Sequence, residues 1–224
     1  MHMYARFWKR LLDFHLALTA LLVLSPLLLL LTVAGAVAMR GNPFFAQPRP
    51  GRGERIFRLI KFRTMSDRRD ASGALLPDGE RLNGYGRFLR KTSLDELPEL
   101  FNILVGQMAL VGPRPLLTAY LPLYSEEQHH RHDVRPGLTG YAQVHGRNAV
   151  PWEERFRMDV WYTQNITFRL DCRILLDTVR VVFRHDGIGS GTSETMEPFT
   201  GNRTAAVEVG AEKEESAQWA QGKD

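Results

Sequence analysis

Cysteine is all but missing from this sequence. Cys172 stands alone among 224 residues, so no disulfide can form within the chain, and the folded part suits a reducing compartment such as the cytoplasm. Recognised zinc-ligand spacing is missing too. His129, His130 and His132 lie among Glu126, Glu127, Gln128 and Arg131, the composition of a solvated helix face, which argues against a metal there. There is no internal repeat. The length allows one ordinary domain with an anchor and a tail, but hardly two full domains.

Charge is absent from one long stretch, Leu16 to Met39, and leucine fills much of it. At roughly −0.5 kcal/mol per central leucine, its leucines sum to about −5 kcal/mol, enough to enter a bilayer. The run exceeds the apolar core of a cleaved signal peptide, and the following Arg-Gly-Asn-Pro lacks a small-residue cleavage pattern. Two features speak against a simple span. Pro26 of Ser25-Pro26 removes a backbone hydrogen bond near the middle. Both flanks are basic, with Arg6, Lys9 and Arg10 before the run and Arg40, Arg49, Arg52, Arg55 and Arg58 after it. Both ends therefore ask for the cytoplasmic side. A helix that enters, breaks at Ser25-Pro26 and returns satisfies both, while a Pro-kinked spanning helix stays open on these residues alone.

Twenty-nine Lys and Arg residues against 25 Asp and Glu give a net charge of +4, and the pI is near 9.4. That excess favours anionic partners: phosphates, acidic lipid headgroups or nucleic acid. Gly41 to Gly53, rich in Gly, Pro and Arg, reads as a loop at the membrane surface. Ile56 to Arg63 reads as a strand, and Asp67 to Gly86 as an exposed loop. A helix is expected to begin near Ser93–Asp95 and to carry Leu97, Leu100, Phe101 and Leu104 on one face. Further helices are expected over Leu116–Tyr124, Trp152–Gln164 and Phe168–Arg184, with a weak strand signal around Leu138–Val144. The last helix sets Leu170, Ile174, Leu175, Val179, Val182 and Phe183 against Arg169, Arg173, Arg180 and Arg184. That pattern fits a helix in the headgroup region or one packed on its own domain. From Gly201 the tail lacks apolar periodicity and reads as disordered.

Four motifs offer chemistry. Ser93-Leu94-Asp95-Glu96 has the spacing of a capping box, with acids at the positive end of a helix. Pro98 disturbs that reading, because with Ser93 as N-cap it is the fifth helical residue, where its missing N–H costs a bond. A start at Asp95 places Pro98 in the tolerant first turn. Either start puts a carboxylate pair beside Arg90 and Lys91, a setting for catalysis or for an ordinary ion-pair network. In Gly112-Pro113-Arg114-Pro115 the prolines hold Arg114 extended, ready for an oxyanion, although such stretches also make plain turns. Lys61 and Arg63 share one face of the expected strand, with Phe62 on the other. Arg135-Pro136-Gly137-Leu138-Thr139-Gly140 and Gly146-Arg147-Asn148 are Gly-flanked polar stretches that suit either a ligand loop or an ordinary one.

Taken in order, Ser25-Pro26, Lys61-Phe62-Arg63-Thr64-Met65, Ser93-Leu94-Asp95-Glu96-Leu97-Pro98, Gly112-Pro113-Arg114-Pro115 and Pro136-Gly137-Leu138-Thr139-Gly140 resemble the bacterial sugar transferase family, the small monotopic phosphoglycosyl transferases. The resemblance runs from about Arg6 to Asn202. Gly146 to Ala149, Trp152-Glu153 and Asp159 to Tyr162 look most like the members that handle di-N-acetylbacillosamine phosphate in protein glycosylation.

The resemblance implies an α+β, mostly helical fold with little sheet. Residues 1–40 would be a re-entrant membrane helix-break-helix, 41–200 a small cytoplasmic catalytic domain with amphipathic interfacial helices, and 201–224 the tail. It implies a monotopic enzyme on the cytoplasmic face of the bacterial inner membrane. Such an enzyme passes a phosphosugar from a UDP-sugar to undecaprenyl phosphate with Mg²⁺. Asp95 is the implied nucleophile, Glu96 its partner and fellow metal ligand, and Arg90, Arg114, Lys61 and Arg63 lie near substrate phosphate. Arg147 and Asn148 are implied contacts of the nucleotide sugar.

Two rivals explain less. A basic membrane-anchored protein binding acidic lipid or nucleic acid accounts for the pI but not for the adjacent acids Asp95-Glu96, so nucleic acid is not an expected partner. A glycosidase needs carboxylates facing across a cleft about 5 Å or more apart, which adjacent helical residues do not provide.

Overall fold

A computed structural model describes residues 3–146, 150–184 and 198–201. A π-helical turn, Tyr4–Trp8, runs into α1, Lys9–Val23, which is followed by α2, Ser25–Met39. The pair is bent by 65°, and among the described residues no single helix is long and apolar enough to cross a membrane; the two pass that test only together. The bend has a local cause. Leu24 leaves helical geometry at φ −87°, ψ 1°, and the Ser25 hydroxyl donates back to the Leu22 carbonyl at 2.8 Å. Pro26 then falls in the first turn of α2, where no N–H is required of it.

Residues 41–53, read above as a loop, instead contain β1, Phe44–Pro50. It pairs antiparallel with β2, Ile56–Phe62, in register from Phe44↔Phe62 to Pro50↔Ile56. The prolines of β1 misled the sequence reading. In a two-stranded ribbon every strand has a free edge, and there a missing N–H costs no ladder bond. One face of β2 buries Phe57 and Leu59 and ends in Lys61, while Phe62 on the other face stacks on Phe44, ring centres 5.3 Å apart.

The stretch 67–86, expected as an exposed loop, instead holds α3, Asp78–Arg81, and the start of α4, Gly84–Thr92, capped by the Asn83 side chain. A 3₁₀ turn at Leu94–Glu96 leads to α5, Glu99–Leu104. β3, Ala109–Val111, runs parallel to β4, Gly137–Thr139. Between them the expected helix at Leu116–Tyr124 is a 3₁₀ segment, Thr118–Leu123, with Pro122 inside it. Next come α6, Glu126–His129, and a 3₁₀ turn, His130–His132. The weak strand signal over 138–144 resolves into β4 and then α7, Tyr141–His145. The helices expected at α8, Trp152–Gln164, and α9, Phe168–Arg184, are there as read.

α1 is part of the main core. Its Ala17 and Leu21 pack with Phe57, Leu59, Leu100, Ile103 and Met108. A second core joins Val111, Tyr162, Ile166 and Ile174. Between them lies a closed polar knot. Lys9 pairs with Asp171 at 2.7 Å, and the Tyr4 and Tyr162 hydroxyls donate to Asp171 at 2.8 and 2.7 Å. Asp13 accepts from the Leu110 N–H at 3.2 Å. α9 packs one side on its own domain: Asp171 and Ile174 are buried, whereas Phe168, Leu176 and Val179 are exposed beside exposed Arg173 and Arg180. Residues beyond 201 and the Arg147-Asn148 pair lie outside the described residues.

Candidate active site

The Asp95-Glu96 pair does not begin an α-helix. Ser93 takes a left-handed conformation, φ 56°, and its side chain caps nothing; α5 starts only after Pro98, its N-cap. The expected capping box at Ser93 is therefore absent, because Pro98 cannot donate within a helix and defers its start. A capping box does form elsewhere, between Ser125 and Gln128 at the start of α6. The tight 3₁₀ turn between α4 and α5 points Glu96 toward β2.

Glu96 is clamped. Lys61 donates to its Oε1 at 2.8 Å and Arg114 to the same oxygen at 2.7 Å, leaving Oε2 with no hydrogen bond among the described residues. Lys61 also pairs with Glu99 at 3.0 Å, so it bridges two acids. Against the cost of burial, Arg114 and then Lys61 hold the Glu96 carboxyl well below the usual range, so it stays ionised. Glu99, 3% exposed, is pushed up by burial and by the charge of Glu96.

Asp95 differs. Among the described residues no cation lies within ion-pair distance of it. Burial first, and the Glu96 charge second, raise it to about 6, with Lys61 and Arg114 opposing. A half-buried carboxylate with no cation paired to it among the described residues, next to one ionised by two cations, is a reactive arrangement.

Arg114 is positioned by main-chain contact. The Gly112 N–H donates to the Thr139 carbonyl and the Gly137 N–H to the Pro113 carbonyl, both at 2.9 Å. The backbones meet so closely that a Cβ on Gly137 would lie 2.1 Å from the Gly112 nitrogen. Behind it, Arg131 donates to the Arg114 carbonyl at 2.8 Å and to Asp159 at 2.7 Å, with both side chains buried.

The structure thus unites Asp95, Glu96, Lys61 and Arg114. It does not bring Arg63 or Arg90 into ion pairs with these acids: Arg63 pairs with Asp67, and Arg90 donates to the Thr64 hydroxyl at 3.1 Å. Three participants escaped the sequence reading. Glu99 was legible in principle, one helical turn beyond Glu96. Arg131 was hidden in a polar run. Arg49, whose Nε is buried without a partner, is depressed by burial and by nearby Arg114; nothing in its surroundings in sequence marks it. The reading of a solvated face over His129–His132 holds for His130 and is corrected for His132. His132 is 6% exposed, and burial pushes it down to about 4, so its ring is neutral. It turns inward beneath Tyr124, their ring centres 5.5 Å apart.

Asp95 and the free Oε2 of Glu96 are hard oxygen donors, the kind Mg²⁺ takes through one or two carboxylates, so these residues fit that ion. A separate cavity of about 900 Å³, lined by Arg52, Arg55, Asp133 and Arg135 among others, includes none of the acids or cations above. Here charge chemistry marks the site and volume does not.

A profile of the family described as bacterial sugar transferase matches residues 4–185. An uncharacterized sugar transferase, EpsL, of Bacillus subtilis is 51% identical over 195 residues, covering 87% of this chain and 96% of that protein. An undecaprenyl-phosphate galactose phosphotransferase of Salmonella typhimurium is 37% identical over 201 residues, covering 82% of this chain and 42% of its own length. A UDP-glucose:undecaprenyl-phosphate glucose-1-phosphate transferase of Xanthomonas campestris is 39% identical over 186 residues, 78% of this chain and 38% of its length. The chain spans less than half of the latter two. With the profile covering most of its length, the chain belongs to the bacterial sugar transferase family and is an enzyme of the phosphoglycosyl transferase class.

Proposed function

We propose that the chain transfers a sugar 1-phosphate from a UDP-sugar to undecaprenyl phosphate in two steps, through a covalent phosphosugar on Asp95. The observation that carries this reading is the contrast within the pair: Glu96 is held by Lys61 and Arg114, and Asp95 is left without a cation. In the first step an Asp95 carboxylate oxygen attacks the sugar-bearing phosphorus. The bond from that phosphorus to the bridging oxygen breaks, and UMP leaves with the oxygen and its electron pair. In the second step a phosphate oxygen of the polyprenyl phosphate attacks the same phosphorus. The acyl-phosphate bond breaks, and Asp95 is restored as a carboxylate.

An anionic nucleophile meeting a diphosphate faces about 4 kcal/mol of repulsion per unit-charge pair at 4 Å and an effective dielectric near 20. Arg114 and Lys61 offset it, and Arg49, with its unpaired Nε, is a further donor for phosphate oxygens. Mg²⁺ held by Asp95 and Glu96 would supply Lewis-acid neutralisation of the same charge.

The bent α1–α2 pair enters the bilayer and returns, leaving both flanks on the cytoplasmic side of the inner membrane. Exposed Leu22, Val23, Leu29, Leu30, Val33 and Val37 around the bend support this, as do the basic flanks. The donor sugar is N-acetylated, a reading supported by the Gly146–Ala149 and Trp152 resemblance and by a relative in Aeromonas hydrophila named as an N-acetylgalactosaminephosphotransferase.

The test is donor alone. Enzyme, Mg²⁺ and a UDP-N-acetylsugar without acceptor should release UMP in proportion to enzyme, and mass mapping should find the phosphosugar between Ser93 and Leu100. No UMP before acceptor is added, together with activity in Asp95→Asn, sinks the covalent route. Equal turnover with UDP-galactose alone reverses the sugar assignment. Labelling Met3→Cys and Phe45→Cys in intact cells tests topology, and periplasmic reactivity at one end only rules out the hairpin.

A further inference from the structure

Away from the carboxylate pair, three side chains from two distant segments converge. Glu54 lies in the β1–β2 connection, and His129 and His132 lie one turn apart at the end of α6 and in the 3₁₀ turn after it. One ligating atom from each lies within 4.8 Å of the others. His129 Nδ1 contacts Glu54 Oε1, and His132 Nδ1 stands 3.4 Å from the same oxygen. For metal–ligand bonds of about 2.1 Å, the edge of a tetrahedron is about 3.4 Å. The His129–Glu54 contact must widen to admit an ion. Both side chains are over a third exposed and free to swing, at 41% and 36%.

The decisive observation is His132. Its side chain is 6% exposed, yet among the described residues neither ring nitrogen makes a well-formed hydrogen bond, and Nδ1 only approaches Glu54 Oε1 at 3.4 Å. Buried imidazoles almost always satisfy at least one nitrogen, so a ring left with only this long approach to Glu54 suits a ligand shared between the two. Glu54 is also held at φ 61°, a left-handed backbone rarely adopted outside Gly and Asn. It is kept there by the Glu54 N–H donating to Gly51 and the Gly51 N–H donating to Arg55.

We propose that Glu54, His129 and His132 form a structural site for one zinc-like divalent ion, separate from the Asp95–Glu96 centre. Two imidazoles and a carboxylate select a borderline ion such as Zn²⁺ over Mg²⁺, which prefers oxygen alone. Water completes the fourth position. The ion ties the hairpin connection to the segment whose Arg131 holds the Arg114 carbonyl and Asp159. It therefore stiffens the support behind Arg114 from a distance.

The test uses tag-free full-length protein in lipid nanodiscs, stripped with chelator, then titrated with Co²⁺ and competed with Zn²⁺. One tetrahedral Co²⁺ spectrum per chain is expected, displaced by Zn²⁺, with two imidazole nitrogens in the X-ray absorption of the zinc form. Glu54→Gln and His129→Gln, at half-exposed positions that should not prevent folding, are each expected to weaken binding at least ~10-fold. Both should also abolish the rise in melting temperature that Zn²⁺ gives the wild type. Asp95→Asn should bind Zn²⁺ like the wild type, which separates this site from the catalytic one. Binding weaker than roughly 100 µM in the wild type, or binding unchanged in both variants, overturns the proposal.

Discussion

Two of the places where the molecule buries charge differ in completeness. At the junction of α1 and α9, Lys9, Asp13, Asp171, Tyr4 and Tyr162 satisfy one another, and Asp171 alone receives an ammonium and two hydroxyls. Around Leu94–Glu96, Lys61 and Arg114 converge on one oxygen of Glu96 and leave Asp95 without a cation. A closed network specifies how elements dock. An open one keeps a carboxylate for a reaction. Both sit on long-range contacts, so neither location follows from its neighbours in sequence.

Removing the open member is the sharpest way to test that contrast. Asp95→Asn should lower turnover at least ~10³-fold by UMP release, since it removes the nucleophile. Its melting temperature at pH 7 should be no lower than that of the wild type. The raised carboxyl of Asp95 adds stability at low pH that fades as pH climbs through about 6, and the amide has none to lose. Lys9→Met should do the reverse. It opens the closed knot and should cost about 3–5 kcal/mol of stability by denaturant titration, with little change in turnover of the folded fraction. Loss of turnover without loss of stability in Lys9→Met breaks the comparison.

Lys61→Met stands between the two. It leaves Glu96 and Glu99 with Arg114 alone and should slow the donor half-reaction about 10²-fold. Because Lys61 lowers the Asp95 carboxyl, its loss should also carry the rising limb of the pH–rate profile to higher pH. In the wild type the rate of the donor half-reaction should rise with pH through about 6 as Asp95 ionises to the attacking carboxylate; a limb that ignores Lys61→Met excludes Asp95 as its source. The smallest effect belongs to Pro26→Ala. Ala supplies the N–H that a helix continuous through Ser25 would need, so the pair should straighten in part, which should shift accessibility at Phe45→Cys while the catalytic half-reaction with soluble donor changes less than about 3-fold.

Much was legible beforehand. β2, α8 and α9 carry regular apolar spacing, and Ser25-Pro26 marks its own bend, since each depends on residues within a few positions. Local chemistry misled where partners were remote. The prolines of β1 look like loop until β2 supplies a neighbour. Ser93-x-x-Glu96 has capping-box spacing, but Pro98 and the pull of Lys61 on Glu96 win. His132 looks solvated until Glu54 and Tyr124 fold over it.

By itself the sequence determined the apolar N-terminal run and its break, the amphipathic helices, the acid pair and the rigid Arg between prolines. Those properties come from backbone restriction, side-chain type and spacing over a few residues. Only the tertiary structure decided which acid is clamped and which is free. That choice depends on β2 delivering Lys61 and the Gly112–Gly137 contact delivering Arg114: burial raises both carboxyls, and the two cations pull Glu96 back well below the usual range while Asp95 stays raised. Charge interactions fall off with distance and solvent, so the fold that sets those distances also sets the chemistry.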